Sequence, residues 1–226
     1  MLPMVVLAVA AGGCGDDDND SPDSSAGETT AAETTAATTA EEEGGCEEVA
    51  QPEAKKDGGE TKPDEKLSGD YSVTFETNCG SFTIDIDAEG AGLTAASFVQ
   101  LAENGFYEDT YFHRIVPGFV IQGGDPTGTG QGGPGYTTED PPPQDAVYKK
   151  GTVAMAKAGP EAPGTAGSQF FVVTDDAGGG NLTPDYAIVG EISDGLDVVA
   201  LIGTLGDVAE QPTQVVKIEK ATVTGG

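Results

Sequence analysis

Two seven-residue runs, YSVTFET (71–77) and SFTIDID (81–87), alternate apolar with polar residues and are separated by Asn78–Gly80 alone. Tyr71, Val73 and Phe75 fall on one side of the first run, and Phe82, Ile84 and Ile86 on one side of the second. A period of two sends alternate side chains to opposite faces of an extended chain, so each run is a strand with one buried face. The short turn makes them a hairpin. A lone hairpin is not stable in water, so this one needs further strands or a helix to pack on. The downstream sequence supplies them: short apolar runs punctuated by Gly and Pro recur at 111–116, 119–123, 151–157, 169–174, 186–191 and 214–223. LTAASFVQLAENGF (93–106) reads as a helix with Thr94 as N-cap, Phe98, Leu101 and Ala102 on one face, and Gly105 as its stop. GLDVVALIG (195–203) reads as a second, shorter helix ended by Gly203. Many short strands and two short helices predict a mainly β chain, a closed antiparallel barrel whose ends the helices cover. Thirty-four glycines and no tryptophan agree with a loop-rich β architecture.

The first 66 residues are of another kind. MLPMVVLAVAAGGC (1–14) is an apolar stretch ending in small residues and Cys14. It is too short to span a bilayer and fits the apolar and cleavage parts of a secretory signal. Small residues directly before a cysteine resemble the bacterial lipobox, in which that cysteine is lipidated and becomes the mature N-terminus. A plain signal peptide with an incidental cysteine is the other reading. Residues 15–66 carry almost no large apolar side chain and are expected to form a disordered, acidic, Thr/Ala/Glu-rich tether, because such a segment cannot bury enough surface to offset its ordering entropy. The globular domain is expected at 67–226. Export would place it on the outer face of the bacterial cytoplasmic membrane, held only by the lipid anchor. There Cys46 and Cys79, the two cysteines left once Cys14 is used, are competent to pair across a loop of about 33 residues; the alternative is two free thiols. Ten Lys and Arg against 39 Asp and Glu, a formal charge of −29, exclude a basic surface for nucleic acid or anionic lipid.

YFHRIVPGFVIQGGD (111–125) holds the single histidine and the single arginine of the chain, His113 and Arg114. On an unbroken strand Arg114 shares a face with Phe112 and Val116, while His113 faces the other way with Tyr111 and Ile115. The two cannot then act as one acid–base pair. A hairpin through Pro117–Gly118 brings Gln122 towards Arg114. Two bland alternatives stand beside this: Arg114 pairs with one of the many carboxylates and covers apolar surface with its stem, and His113 is a satisfied buried histidine. GGDPTGTGQGGPGY (123–136) lacks a Gly-Lys-Ser/Thr ending and opens no helix, so it reads as a shaped loop and not as a phosphate cradle. No His/Cys/carboxylate set has zinc spacing, and no Ser–His or Cys–His pair is suggested locally.

Three blocks in order, FHRIVPGFVIQGGDPTGTGQGGPGY (112–136), GTVAMAKAGPEAPGTAGSQFFVV (151–173) and LTPDYAIVGEI (182–192), resemble the signature blocks of the cyclophilin-type peptidyl-prolyl cis–trans isomerases. The resemblance spans roughly residues 70–224. It implies a closed eight-stranded antiparallel barrel capped by two helices, an isomerase of Xaa–Pro bonds that needs neither cofactor nor metal, and proline-containing polypeptides as partners of a monomer. It places Arg114 and Gln122 in the catalytic role. It assigns substrate binding to Phe119, Val120, Ala156, Gln169, Phe171, Leu182 and Tyr186. Val120 stands where methionine is common, Asn181 where tryptophan is frequent, and Tyr186 where histidine is frequent. Backbone near Lys157 is expected to hold the substrate in extended form. A proline-segment binding module with little catalysis, and a structural cell-surface domain, remain as readings of other classes.

Overall fold

The computed structural model describes residues 45–226; Cys14 and the tether up to residue 44 lie outside them. Nine strands form one antiparallel sheet. They are β1 (Tyr71–Thr77), β2 (Gly80–Ile86), β3 (Thr110–Tyr111), β4 (Arg114–Val116), β5 (Val120–Gly123), β7 (Thr152–Met155), β9 (Phe170–Val173), β10 (Ile188–Asp194) and β11 (Lys217–Gly225). The sheet order is β3-β11-β1-β2-β10-β7-β9-β5-β4. A second small sheet pairs β6 (Thr138–Glu139) with β8 (Thr165–Ala166), two elements too short to leave a period in the sequence.

The run 111–116 is broken, and the break corrects the expected facing. Phe112 and Ile115 are both fully buried in the main core, although residues three apart on one straight strand point to opposite faces. Phe112 and His113 leave the ladder and re-phase the chain. Phe112 then points into the core while Arg114 and Val116 project from the other face. The same break accounts for the sheet having nine strands instead of the expected eight. Its terminal strands β3 and β4 do not pair with each other, so the ladder is open there. The chain itself crosses the gap through Phe112 and His113.

The concave side of the curled sheet holds the core. Phe75 stacks on Phe170 with ring centroids 5.4 Å apart, and Phe98 meets Phe170 edge-on at 5.5 Å. Such pairs add about 0.5–1.5 kcal/mol each beyond area burial. Gly124 lies beside this cluster at φ +80°, where an added Cβ would meet the Ser168 carbonyl oxygen at 2.6 Å, so only glycine fits.

Helix α1 (Gly92–Glu103) starts after Ala91, and Thr94 is not its N-cap. The cap comes from elsewhere in the chain: the Asp140 carboxylate accepts from the Thr94 amide (2.9 Å) and hydroxyl (2.8 Å). The helix ends as expected at Gly105. There Phe106 N–H donates to Leu101 C=O, Gly105 N–H donates to Ala102 C=O, and Gly105 has φ +68°. α3 (Leu196–Gly203) matches the second expected helix, and a single-turn helix, α2 (Asp176–Gly179), is additional.

Residues 45–66, which composition assigns to the tether, lie against the domain. A disulfide joins Cys46 to Cys79. Lys55 Nζ donates to the carbonyls of Gly105 (3.1 Å), Phe106 (2.8 Å) and Glu108 (2.9 Å) at the end of α1. Asn78 Nδ2 holds the Glu47 carbonyl at 2.6 Å. The arm docks through backbone groups and polar side chains, Lys62 and Asp57 among them, contacts that a count of apolar residues cannot reveal. Among the described residues no helix is long and apolar enough to cross a membrane.

Candidate active site

The site is a row of cross-strand neighbours. In the ladder Arg114 on β4 stands opposite Gln122 on β5, Gln122 opposite Phe171 on β9, and Phe171 opposite Ala154 on β7. Directly opposed residues share a face with their Cβ atoms about 5 Å apart, so register alone gathers a cation, an amide and an aromatic ring. The β4–β5 turn sets that register. Val116-Pro117-Gly118-Phe119 closes with Phe119 N–H donating to Val116 C=O at 3.0 Å, and Gly118 takes φ +72°. Pro then Gly at the two central positions is the requirement of a type II turn.

Arg114 is held from two sides. Its Nε donates to Glu210 Oε2 at 2.6 Å, and Nη1 donates to Gln122 Oε1 at 3.3 Å. Its side chain is 33 % exposed, so the guanidinium opens to solvent at the mouth of the groove. Arg114 therefore does pair with a carboxylate, as the bland alternative supposed. The pair fixes the guanidinium edge-on while Nη2 engages no group among the described residues. Sequence reasoning missed Glu210. It reaches Arg114 across 96 residues of chain, from a loop where it adopts φ +63°, and nothing local marks one acid among so many.

Beside Arg114 lies an apolar patch on the convex face of the sheet. Val120, Tyr148, Ala154, Phe171 and Val173 are buried in it, and Val116, Phe119, Ala156, Leu182, Tyr186 and Ile188 pack on them partly exposed. Phe171 and Tyr186 meet edge-on with centroids 5.3 Å apart. Tyr148, which the sequence reading did not single out, pins that corner: its hydroxyl donates to the Tyr186 carbonyl (2.8 Å) and accepts from the Tyr186 amide (3.0 Å). Burial pushes the Tyr148 phenol up, so it stays neutral at physiological pH. Val120 is 2 % exposed and serves as floor beneath the patch. Asn181 does not line it; its amide donates to Ala177 C=O at 2.8 Å and closes α2.

A cavity of about 650 Å³ continues the groove beyond Gln122. Gln122, Ala156, Lys157 and Gln169 line it together with the glycine-rich loop, Glu161 and Asp57. Gln122 Nε2 donates to Gln169 Oε1 at 3.1 Å, and Gln169 Nε2 donates to Gly132 C=O at 2.9 Å. The Ala156 amide is taken by Gln169 C=O at 2.8 Å. The Lys157 side chain is 2 % exposed, with Nζ on Asp185 (2.9 Å) and on the Glu161 carbonyl (3.0 Å) and 5.9 Å from the centre of the Tyr186 ring. What Lys157 exposes is therefore mainly backbone.

His113 takes no part in the row. Its Nδ1 is buried and has no hydrogen-bond partner among the described residues, so the expectation of a satisfied histidine is not met there. Burial lowers its pKa, the Arg114 charge lowers it further, and Asp125 only partly offsets this, which keeps the ring neutral.

The family described as "Cyclophilin type peptidyl-prolyl cis-trans isomerase/CLD" matches residues 72–223. A peptidyl-prolyl cis-trans isomerase of Arabidopsis thaliana is 36% identical over 156 residues, covering 67% of this chain and 92% of that protein. Peptidyl-prolyl cis-trans isomerase A of Mycobacterium tuberculosis is 38% identical over 171 residues, covering 67% of this chain and 91% of its own length. A crystal structure of a Cryptosporidium parvum cyclophilin type isomerase, obtained in the presence of the dipeptide Ala-Pro, superposes with a TM-score of 0.62 at 30% identity. It covers 69% of this chain and 99% of that one.

Proposed function

The chain belongs to the cyclophilin-type peptidyl-prolyl cis–trans isomerases, and from that membership we propose that Arg114 is the group that lowers the barrier to rotation. The protein catalyses cis–trans isomerisation of Xaa–Pro bonds in proline-containing polypeptides. That reaction breaks no bond. Its uncatalysed barrier is about 18–20 kcal/mol, set by amide resonance. Turnover on the order of 10³ s⁻¹ requires a barrier near 13 kcal/mol, so the site must supply roughly 5–7 kcal/mol.

As the bond twists, the prolyl nitrogen loses conjugation and its lone pair localises. A donor aimed at that nitrogen stabilises the twisted state over both planar ones. One preorganised donor in a water-poor site is worth about 3–4 kcal/mol. Arg114 suits this role because its charge is permanent and its planar fork keeps its shape. Glu210 and Gln122 fix Nε and Nη1, which leaves Nη2 to face the substrate. Phe119, Phe171, Leu182 and Tyr186 seat the proline ring over Val120 and Ala156. Gln122, Gln169 and the Lys157 backbone hold the adjoining peptide in extended form. The observation that carries this reading is the single row Arg114, Gln122, Phe171 across β4, β5 and β9. In a protease-coupled prolyl-peptide assay, Arg114→Ala is expected to lose about 10²–10³ in kcat/KM, with Arg114→Lys recovering little. Near-full activity of Arg114→Ala would overturn the assignment.

The setting proposed is extracytoplasmic: a monomer lipidated at Cys14 and tethered to the outer face of the cytoplasmic membrane. The Cys46–Cys79 bridge supports it, since such bonds persist in oxidising compartments and are rare in the cytosol. Mass spectrometry of the mature N-terminus tests it; a diacylglyceryl cysteine at position 14 is expected, and an unmodified Met1 would refute export.

A further inference from the structure

We propose that Asp57, in the arm ahead of the domain, is a positioning residue of the isomerase site, acting on Arg114 through one hydrogen-bonded chain. Nη1 of Arg114 donates to Gln122 Oε1 (3.3 Å), and Gln122 Nε2 donates to Gln169 Oε1 (3.1 Å). Gln169 Nε2 donates to the Gly132 carbonyl (2.9 Å), and Gly133 N–H donates to Asp57 Oδ1 (2.9 Å). The last two bonds share one amide, since the Gly132 carbonyl and the Gly133 N–H are the two ends of a single peptide group.

Every bond in this chain points the same way, from the cation at Arg114 to the anion at Asp57. A guanidinium can only donate and a carboxylate can only accept. Arg114, which only donates, and the Gly132 carbonyl, which only accepts, therefore impose the same orientation on both glutamine amides, and Asp57 holds the peptide that presents that carbonyl. With the arm in place, Gln169 presents its oxygen to Gln122, and Gln122 presents its oxygen to Arg114. A charged acceptor on the Gly133 N–H also polarises that peptide and makes the Gly132 carbonyl a stronger acceptor for Gln169.

The Gly132 amide is tied to Asp125 Oδ2 (3.2 Å), and Asp57 adds a second tie through the Gly133 amide (2.9 Å). Gly132 and Gly133 have no side chains to pack, and a Cβ on Gly132 would meet Asp125 Oδ1 at 2.2 Å. The arm adds bonds to the loop beyond those that Asp125 makes. Gly58 N–H donates to Gly133 C=O (2.9 Å), and Glu60 N–H donates to Pro134 C=O (3.0 Å). Lys55 and the Cys46–Cys79 bridge fasten the arm upstream. Asp57 also lines the cavity that Gln122 and Gln169 line. Its side chain is exposed, and its removal leaves no hole in the core.

The inference rests on the role given to Arg114, so the test measures Asp57→Ala and Arg114→Ala side by side, with Gln169→Ala and the Asp57→Ala/Gln169→Ala double variant, on an Ala-Pro peptide. Asp57→Ala is expected to lower kcat/KM about 3- to 10-fold at unchanged Tm, the range of coupling through one polar network. Asp57→Asn, which keeps an acceptor oxygen, is expected to recover most of that loss. Adding Asp57→Ala to Gln169→Ala is expected to cost nothing further, because the link is already cut. Wild-type kcat/KM in Asp57→Ala, an Asn variant as poor as Ala, or multiplying losses in the double variant would each overturn the proposal while leaving Arg114 in its role. Activity retained in Arg114→Ala would overturn both.

Discussion

Asp125 lies under the glycine-rich loop and gathers four of its donors. It is 1 % exposed, and its two oxygens accept from the Thr127 amide (2.7 Å) and hydroxyl (2.8 Å), the Gly130 amide (2.5 Å) and the Gly132 amide (3.2 Å). Burial alone would raise its pKa. The bonds from Thr127, Gly132 and Gly130 outweigh that and bring it below the ordinary carboxylate value. The unfolded carboxyl thus protonates first as pH falls. Its contribution is complete above about pH 4 and is lost as pH drops through the folded value. His113 adds an earlier step. Its lowered pKa means that the unfolded ring takes up a proton first, so stability declines as pH falls through about 6.5, the ordinary histidine value. Urea midpoints from pH 8 to 3 are expected to fall in these two stages. His113→Phe should remove the first, and Asp125→Asn should flatten the second while costing about 2 kcal/mol at neutral pH.

Among the elements, strands with one wet face were legible and interruptions were not. β1 and β2 follow their alternation closely because one face of each meets the core and the other meets water. β7 and β9 were legible only as apolar runs, since TVAM and FFVV are buried on both faces and carry no period. The split between β3 and β4 was invisible, because Tyr111–Val116 has the composition of one continuous strand. Only the burial of both Phe112 and Ile115 reveals the change of phase. Thr94 looked like an N-cap because a threonine precedes an apolar run, but Asp140, 46 residues on, outcompetes it. In the site, Arg114, Gln122 and Phe171 were legible through motif resemblance. Glu210, Tyr148 and Asp57 act across long loops from stretches that carry no signal of their own.

At the scale of the whole molecule, the arm and the domain are one structure joined by one covalent bridge. That bridge closes 33 residues. Confining a loop of that length in the unfolded chain is worth roughly 3–4 kcal/mol on the chain-entropy account. Replacing Cys46 and Cys79 by serine is expected to lower the unfolding free energy from urea titration by that amount, with little change in secondary structure by circular dichroism. A free energy equal to wild type would show that the bridge contributes nothing to stability. The sheet has a consequence for the company this protein keeps. An enzyme that handles unfinished chains is surrounded by extended backbone looking for partners, and any long bare edge would invite such a chain to add itself on. Here the two outermost strands have two and three residues, and the polypeptide passes directly from one to the other. At that seam the bare margin is too short to template a passing client, so strand addition does not start there.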